Sequence, residues 1–379
     1  MIALHLIKTT VGASWALKQI EVLVGLGCCI HVVLPEDSGL ADAYRAAGAH
    51  IHVLNVDIAQ VKSPLSFIRS ALKLRKLVRE IGPDIVHSHF VGTTLFMRMA
   101  LWGMGIARVF QVPGPLHLES TITRNAEIML ATAKDYWIAT CARTRKYYLD
   151  AGIADNRIFS TFYGTDVSRF SPGVKGYLRS QLGLAPGVKI IGMVAYVYPP
   201  KKWLGQERGI KGHEDLIDAG EIVFKSRDDV VLVFVGGAWG KSEDYYSSVL
   251  AYGKARLGEK GYFLGTRSDV SKIYPDFDLV VHPSHSENLG GAAESLLMGV
   301  PTIATNIGGF PDIVLPGKTG WLVPAHNPAA MAAAILEVLN NPEEASRRSV
   351  AGRLLAEKEL DVKKTASDVY SFYKSILSH

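Results

Sequence analysis

The chain has 379 residues, 48% of them hydrophobic, with 41 Lys and Arg against 36 Asp and Glu, a net charge of +5 and a pI near 8.9. That length can bury cores for two domains of roughly 150 to 200 residues each. The mild basic balance suits an acidic substrate or an anionic lipid surface and is too weak for a nucleic-acid binder.

Three cysteines, Cys28, Cys29 and Cys141, lack metal-ligand spacing and point to a reducing compartment rather than a disulfide framework. The amino-terminal MIALHLIKTT lacks the basic start and long apolar stretch of a secretory signal, and no segment reaches the ~20 apolar residues of a membrane span. A cytoplasmic protein is expected.

Along the chain, apolar runs alternate with helical patterns: IALHLI at 2–7, IHVVLP at 30–35, DIVHSH at 84–89, KIIGMVA at 189–195 and VVLVFVGG at 230–237. Such alternation predicts two α/β halves with parallel sheets, and a ligand in the cleft that faces both sets of strand ends. Gly25–Gly27 resembles part of a dinucleotide fingerprint, but Ile30 stands where the third glycine belongs, so it is read as a helix-ending turn. The pairs His50 with His52 and His87 with His89 each share one strand face without an evident third donor, and no metal is expected. SPLSFIRSALKLRKLVREIG at 63–82 puts Phe67, Ala71, Leu74, Val78 and Ile81 on one helical face and Arg69, Lys73, Arg75, Lys76 and Arg79 on the others. It reads as a crossover helix whose basic side is solvated or meets anionic headgroups. The Gly- and Pro-rich stretch from Asp166 to Val188 is the candidate linker. GGAWGKS at 236–242 has one residue too few between its outer glycines for a phosphate-binding Walker loop.

The segment Asp278–Val314 is the most informative. Leu279, Val280 and Val281 form a buried-strand run stopped by Pro283, and Gly290 and Gly291 open a helix expected to end near Gly299. A helix start there offers N–H groups and positive dipole charge to a diphosphate. Glu287 and Glu294 flank it, and carboxylates beside phosphates make sense when they hold hydroxyls, which points to a sugar and a ribose.

HPSHSENLGGAAESLLMGVPTIAT, with GGFPDIV and GKTGWLV after it, resembles the donor-binding region of the family 4 glycosyltransferases, retaining enzymes of the two-Rossmann GT-B architecture. IKGHEDLIDA at 210–219, GYFLGTRSDV at 261–270, FYGTDVSRFSP at 162–172 and DIVHSH extend the likeness over nearly the whole chain. It implies an amino-terminal Rossmann-like acceptor domain at 1–170, a donor domain at 171–360, and a last helix, 361–379, that crosses back to the first domain. By resemblance, Glu294 holds the ribose, Glu287 contacts the donor sugar, Lys211 balances the diphosphate, and Asn288, Leu289, Gly290 and Gly291 line the phosphate turn. Thr266 and Arg267 sit in the loop whose backbone reads the base, and Gly12 in an amino-domain loop facing the phosphates.

This chain departs from the family pattern in three places. Six residues rather than seven separate Glu287 from Glu294, with Ser286 in the nominal position; Tyr196 replaces an arginine and is followed by the insertion VYPPKKWLGQERG; and Pro113 stands where a histidine is usual, leaving His117 as the nearest substitute. Lys201, Lys202 or Arg208 are candidates for the missing cation. The reading is a retaining transferase that moves a sugar from an NDP-sugar, UDP ahead of GDP, to a hydroxyl of a glycan or lipid-linked acceptor in bacterial surface-polysaccharide synthesis. It needs no cofactor and works in the cytoplasm, at the inner membrane face where it meets anionic lipid. A GT-B sugar-nucleotide epimerase and a non-catalytic nucleotide-binding relative are the alternatives.

Overall fold

The computed structural model describes residues 1–202 and 205–378, so Trp203 and Leu204 of the insertion and His379 at the end of the expected last helix lie outside it. The chain divides into two compact units, Met1–Asp166 with Glu359–His379, and Val167–Lys358.

In the first unit, seven parallel strands run β1 (Ile2–Leu6), β2 (Cys29–Leu34), β3 (His50–Val53), β4 (Ile85–Ser88), β5 (Ala107–Gln111), β6 (Asp135–Ala139) and β7 (Ile158–Ser160). Their order across the sheet is β3-β2-β1-β4-β5-β6-β7. The helix Ser14–Gly25 follows β1 and stops at Gly27, whose φ of 86° confirms the turn expected there. The basic helix spans Pro64–Ile81. Ser63 caps it reciprocally with Ser66, Pro64 opens it, and Gly82 closes it in the left-handed region. Its apolar stripe buries Leu74 and Val78 and rests Phe67, Ala71 and Ile81 on the core.

The carboxyl-terminal helix Val362–Leu377 belongs to this first unit, as the fold expectation required. Its Val369, Phe372, Tyr373 and Ile376 enter the same core as Leu17, Ile20 and Leu23 of Ser14–Gly25. Gly164 has Val362 against its α-carbon, and Thr165 bridges to Asp361 where the chain returns. A buried charge network also braces this unit. Arg98 donates to Glu127 and Asp135, and Arg108 to Asp135, with all four side chains at most 2% exposed.

The second unit holds six parallel strands, β8 (Lys189–Val194), β9 (Val230–Val235), β10 (Gly261–Phe263), β11 (Leu279–His282), β12 (Thr302–Thr305) and β13 (Trp321–Val323), ordered β10-β9-β8-β11-β12-β13. All six residues of β9 are buried, as a parallel strand covered on both faces demands. The linker region is more ordered than its glycines suggest. It contains a helix, Tyr177–Gln181, because the Asp276 carboxylate accepts the N–H groups of Gly176 and Leu178, both at 2.6 Å. Both sheets reverse their winding direction beside the first strand of the unit, between β1 and β4 and between β8 and β11. In doubly wound sheets the crevice beyond the carboxyl ends of such a pair is where ligands bind.

Candidate functional site

Beyond the carboxyl ends of β8 and β11, the second unit has a cavity of about 300 Å³. Met193–Tyr196 leave β8 on one side, and His282–Ser284 leave β11 on the other. Pro283 ends β11 at this point, so the chain turns away and exposes the crevice. Of the residues singled out from sequence, Tyr196, Lys211, Thr266, Arg267, Glu287, Gly291 and Glu294 line this cavity. Asn288, Leu289 and Gly290 lie in the adjoining turn and do not line it; Leu289 is buried beneath. Gly12 and His117 belong to the first unit.

Two segments carry the central charges. Lys211 precedes the helix His213–Phe224 and its ammonium donates to Oε2 of Glu287. Glu287 Oε1 also accepts the N–H of Asn288 at 3.0 Å. Gly212, between Lys211 and the helix, has a φ of 72°, and any Cβ there would meet the Pro283 carbonyl. The two segments therefore approach backbone to backbone, which only glycine permits. The Lys211 ammonium also sits 5.5 Å from the centre of the Tyr198 ring. Burial first, then the Glu287 charge, pushes the Tyr198 phenol up to about 12.

The helix after the turn is shorter than expected. It runs Ala292–Leu297, starting one residue after Gly291, because Gly290 adopts a φ of 45° that no right-handed helix contains. A Cβ on Gly290 would lie 2.7 Å from Oε2 of Glu287, so the glycine makes room for the carboxylate. Among the described residues, the N–H groups of Gly290 and Gly291 have no backbone acceptor.

Glu294 stands in a different environment. Burial raises its carboxyl above the usual range, opposed by the Tyr274 hydroxyl, which donates at 3.2 Å, and by the Arg169 charge. Its oxygen reaches the cavity as a buried acceptor with spare capacity. Arg267 is spent on a fork to both oxygens of Asp269, which leaves Thr266 and the chain beside it as the polar edge there.

The insertion cations are placed elsewhere. Lys201 and Lys202 do not line the cavity. Arg208 donates to Asp215 at 2.6 Å and lies 2.8 Å from Asp218, so its charge is already matched twice. Tyr196, where an arginine was expected, packs its ring edge-on against Trp239, and Tyr198 stacks on the same indole. The GGAWGKS segment therefore supplies an aromatic prop rather than a phosphate loop.

Two histidines of the second unit went unnoticed in the sequence, His282 in the cavity lining and His285 beside the charged segments. His282 ends β11, donates or accepts at 2.9 Å with Ser295, and is lowered to about 3 by burial and the Lys211 charge, so its ring is neutral. Its place at a strand end beside Pro283 was a legible signal. His285 joins the two charged segments: its N–H bonds Ile210 O at 2.8 Å and its Nε2 pairs with Asp215 at 2.7 Å. Nothing in the spacing announced that partnership. His117, in the first unit, lies on the short helix Leu116–Glu119, buried and lowered to about 4 chiefly by desolvation, with Nε2 unpartnered among the described residues.

Comparison with known proteins bears on the family and the fold. Residues 14–169 match the family described as Glycosyltransferase Family 4 and residues 204–354 the family described as Glycosyl transferases group 1. A D-inositol 3-phosphate glycosyltransferase of Mycolicibacterium gilvum is 30% identical over 179 residues, 46% of this chain and 37% of the relative. The lipopolysaccharide core biosynthesis mannosyltransferase LpsB of Rhizobium meliloti is 27% identical over 248 residues, 64% of this chain and 66% of the relative. The aligned regions thus span between about a third and two thirds of these relatives' lengths. The structure of Anabaena HepE in complex with UDP superposes with a TM-score of 0.82 at 21% identity, covering 99% of this chain and 100% of HepE, and establishes the GT-B fold.

Proposed function

Because the chain belongs to the family 4 glycosyltransferases, its carboxyl-terminal half matching the group 1 family, we propose that it transfers a sugar, with retention, from an NDP-sugar to an acceptor hydroxyl. The observation that carries this reading is the meeting of Lys211, Glu287, Glu294 and Gly291 around one cavity at the β8/β11 winding reversal. In it, Glu294 accepts from the ribose hydroxyls, and the N–H group of Gly291 takes the diphosphate. Lys211 leaves Glu287 to neutralise the departing β-phosphate, and Glu287 turns to the sugar hydroxyls. The swap gives the Glu287 carboxylate hydroxyl donors in place of the ammonium, and it places the cation where negative charge grows during bond cleavage. The β-phosphate itself takes the acceptor proton, so no separate general base is required.

UDP is favoured as the nucleotide. The complexes of HepE with UDP and with UDP-glucose support it by fold alone. The acceptor is a glycan or lipid-linked saccharide of surface-polysaccharide synthesis, a reading supported by the likeness to LpsB, and the first unit, with His117, is assigned to it. A peripheral membrane contact is supported by Leu65, Ile68 and Leu72, at least 52% exposed on the basic helix beside Arg69, Lys73 and Lys76. No described helix is long and apolar enough to cross a membrane. Thermal shifts with UDP, GDP, ADP and their sugars test the donor: a ligand at 100 times its Kd stabilises the fold by about 2.7 kcal/mol. Absence of any nucleotide-dependent shift would remove the reading.

A further inference from the structure

Parallel pairing brings extra donors to both histidine pairs noticed in the sequence. His5 on β1 pairs in register with His87, and His31 on β2 with His50. The first cluster, His5, His87 and His89, is fully buried and bonded to Tyr163 and Tyr373, with no route for an ion. A third cluster, Asp215, His285 and His326, has its carboxylate committed to Arg208 and His285. The second cluster differs from both. Cys29 and His31 are two apart on β2, His50 and His52 two apart on β3, and the register puts all four on one face at the sheet edge.

We propose that Cys29, His31 and His50 form a binding site for a zinc-class divalent ion, with His52 orienting His31. One donor atom from each of the three lies within 4.8 Å of the others. Cys29 Sγ is 3.7 Å from His31 Nε2. Zinc at ~2.3 Å from sulfur and ~2.0 Å from nitrogen sets two tetrahedral ligands about 3.5 Å apart, so that gap already fits. The other nitrogen of His31, Nδ1, lies 2.9 Å from His52 Nε2. This is the outer hydrogen bond that fixes the tautomer and direction of a ligating imidazole. The His31 ring stacks at 4.8 Å on His50 and 5.2 Å on His52. Cys29 is exposed, whereas Cys28 and Cys141 are buried. The three protein donors leave a fourth position to water, and the ion would tie the edge strand β3 to β2.

Titration of the full chain with Co²⁺, read by absorption, tests the site without any nucleotide. One equivalent is expected to give a thiolate-to-cobalt charge-transfer band and tetrahedral visible bands, both abolished by excess Zn²⁺. Cys29→Ser should remove the charge-transfer band, and His50→Ala should weaken binding at least tenfold. His52→Ala should weaken it about 10- to 100-fold while keeping the band. Zn²⁺ should also slow alkylation of Cys29 in the wild-type chain and not in His50→Ala. The proposal is overturned by a missing thiolate band, by wild-type binding in Cys29→Ser, or by binding that is lost only in His285→Ala.

Discussion

Glu294→Gln separates what the site costs from what it does. The native carboxylate is held above its usual range by burial, with one Tyr274 hydrogen bond and the Arg169 charge opposing. A raised folded-state value means that the stability this group contributes is complete below the unfolded carboxyl range and is lost as pH rises through the folded value. At pH 7 the folded state therefore carries the charge at a disadvantage, which the neutral, near-isosteric amide removes. Wild-type stability should rise on mild acidification through the carboxylate range by more than that of Glu294→Gln, and the variant's Tm at pH 7 should equal or exceed the wild type's. Binding should move the other way. Two ribose hydroxyls donating to the charged carboxylate contribute about 1.5–3 kcal/mol each. The amide keeps one acceptor oxygen, so loss of about one such bond weakens UDP by roughly 10- to 100-fold. Calorimetric titration with UDP beside thermal melts at pH 5 and pH 7 gives both numbers. Wild-type UDP affinity in a folded Glu294→Gln would refute the ribose assignment, and a lower Tm at pH 7 would refute the electrostatic reasoning.

Other substitutions probe the neighbouring parts. Glu287→Gln frees Lys211 from its ion pair, so UDP should bind at least as tightly while sugar turnover falls at least 100-fold; steady-state kinetics beside titration would show the split. His285→Ala removes the link between Asp215 and the Glu287 loop, and kcat should drop about tenfold or more with UDP affinity changed far less, because a displaced catalytic group costs rate. Gly290→Ala should cost about 1–2 kcal/mol of stability in denaturant titrations, since alanine is strained at a φ of 45° and its methyl presses on Glu287. Arg98→Met should cost about 3–5 kcal/mol by stripping the buried Glu127 of its counter-charge and leaving Asp135 to Arg108 alone.

The strands and the donor cavity were legible because each is written in one short stretch. A buried parallel strand shows as an unbroken apolar run, as in Val230–Val235, and the Pro283 stop marks where the crevice opens. Glu287 and Glu294 could be singled out because they flank the turn after that strand, and Lys211 because its stretch resembles a family motif; the structure gathers all three on one cavity. The misreadings share one cause, which is that partners distant in sequence are set by the fold. Arg208 looked free until Asp215 and Asp218 faced it across one helical turn. The helix at 290 was drawn too early because the demand that Glu287 makes on Gly290 is a matter of space, not of propensity. Likewise, the histidine pairs seemed to lack a third donor because strand register, invisible in one strand, brings His5 beside His87 and His31 beside His50.

The most direct measurement is nucleoside diphosphate release from a panel of UDP-, GDP- and ADP-sugars, followed with wild-type protein and with Lys211→Ala. Release from at least one donor is expected, reduced at least 100-fold in the variant, since the ammonium that meets the leaving phosphate is gone and its loss costs about 2.7 kcal/mol or more at the transition state. No release from any nucleotide sugar, or equal release by Lys211→Ala, would contradict the assignment of this cavity to glycosyl transfer.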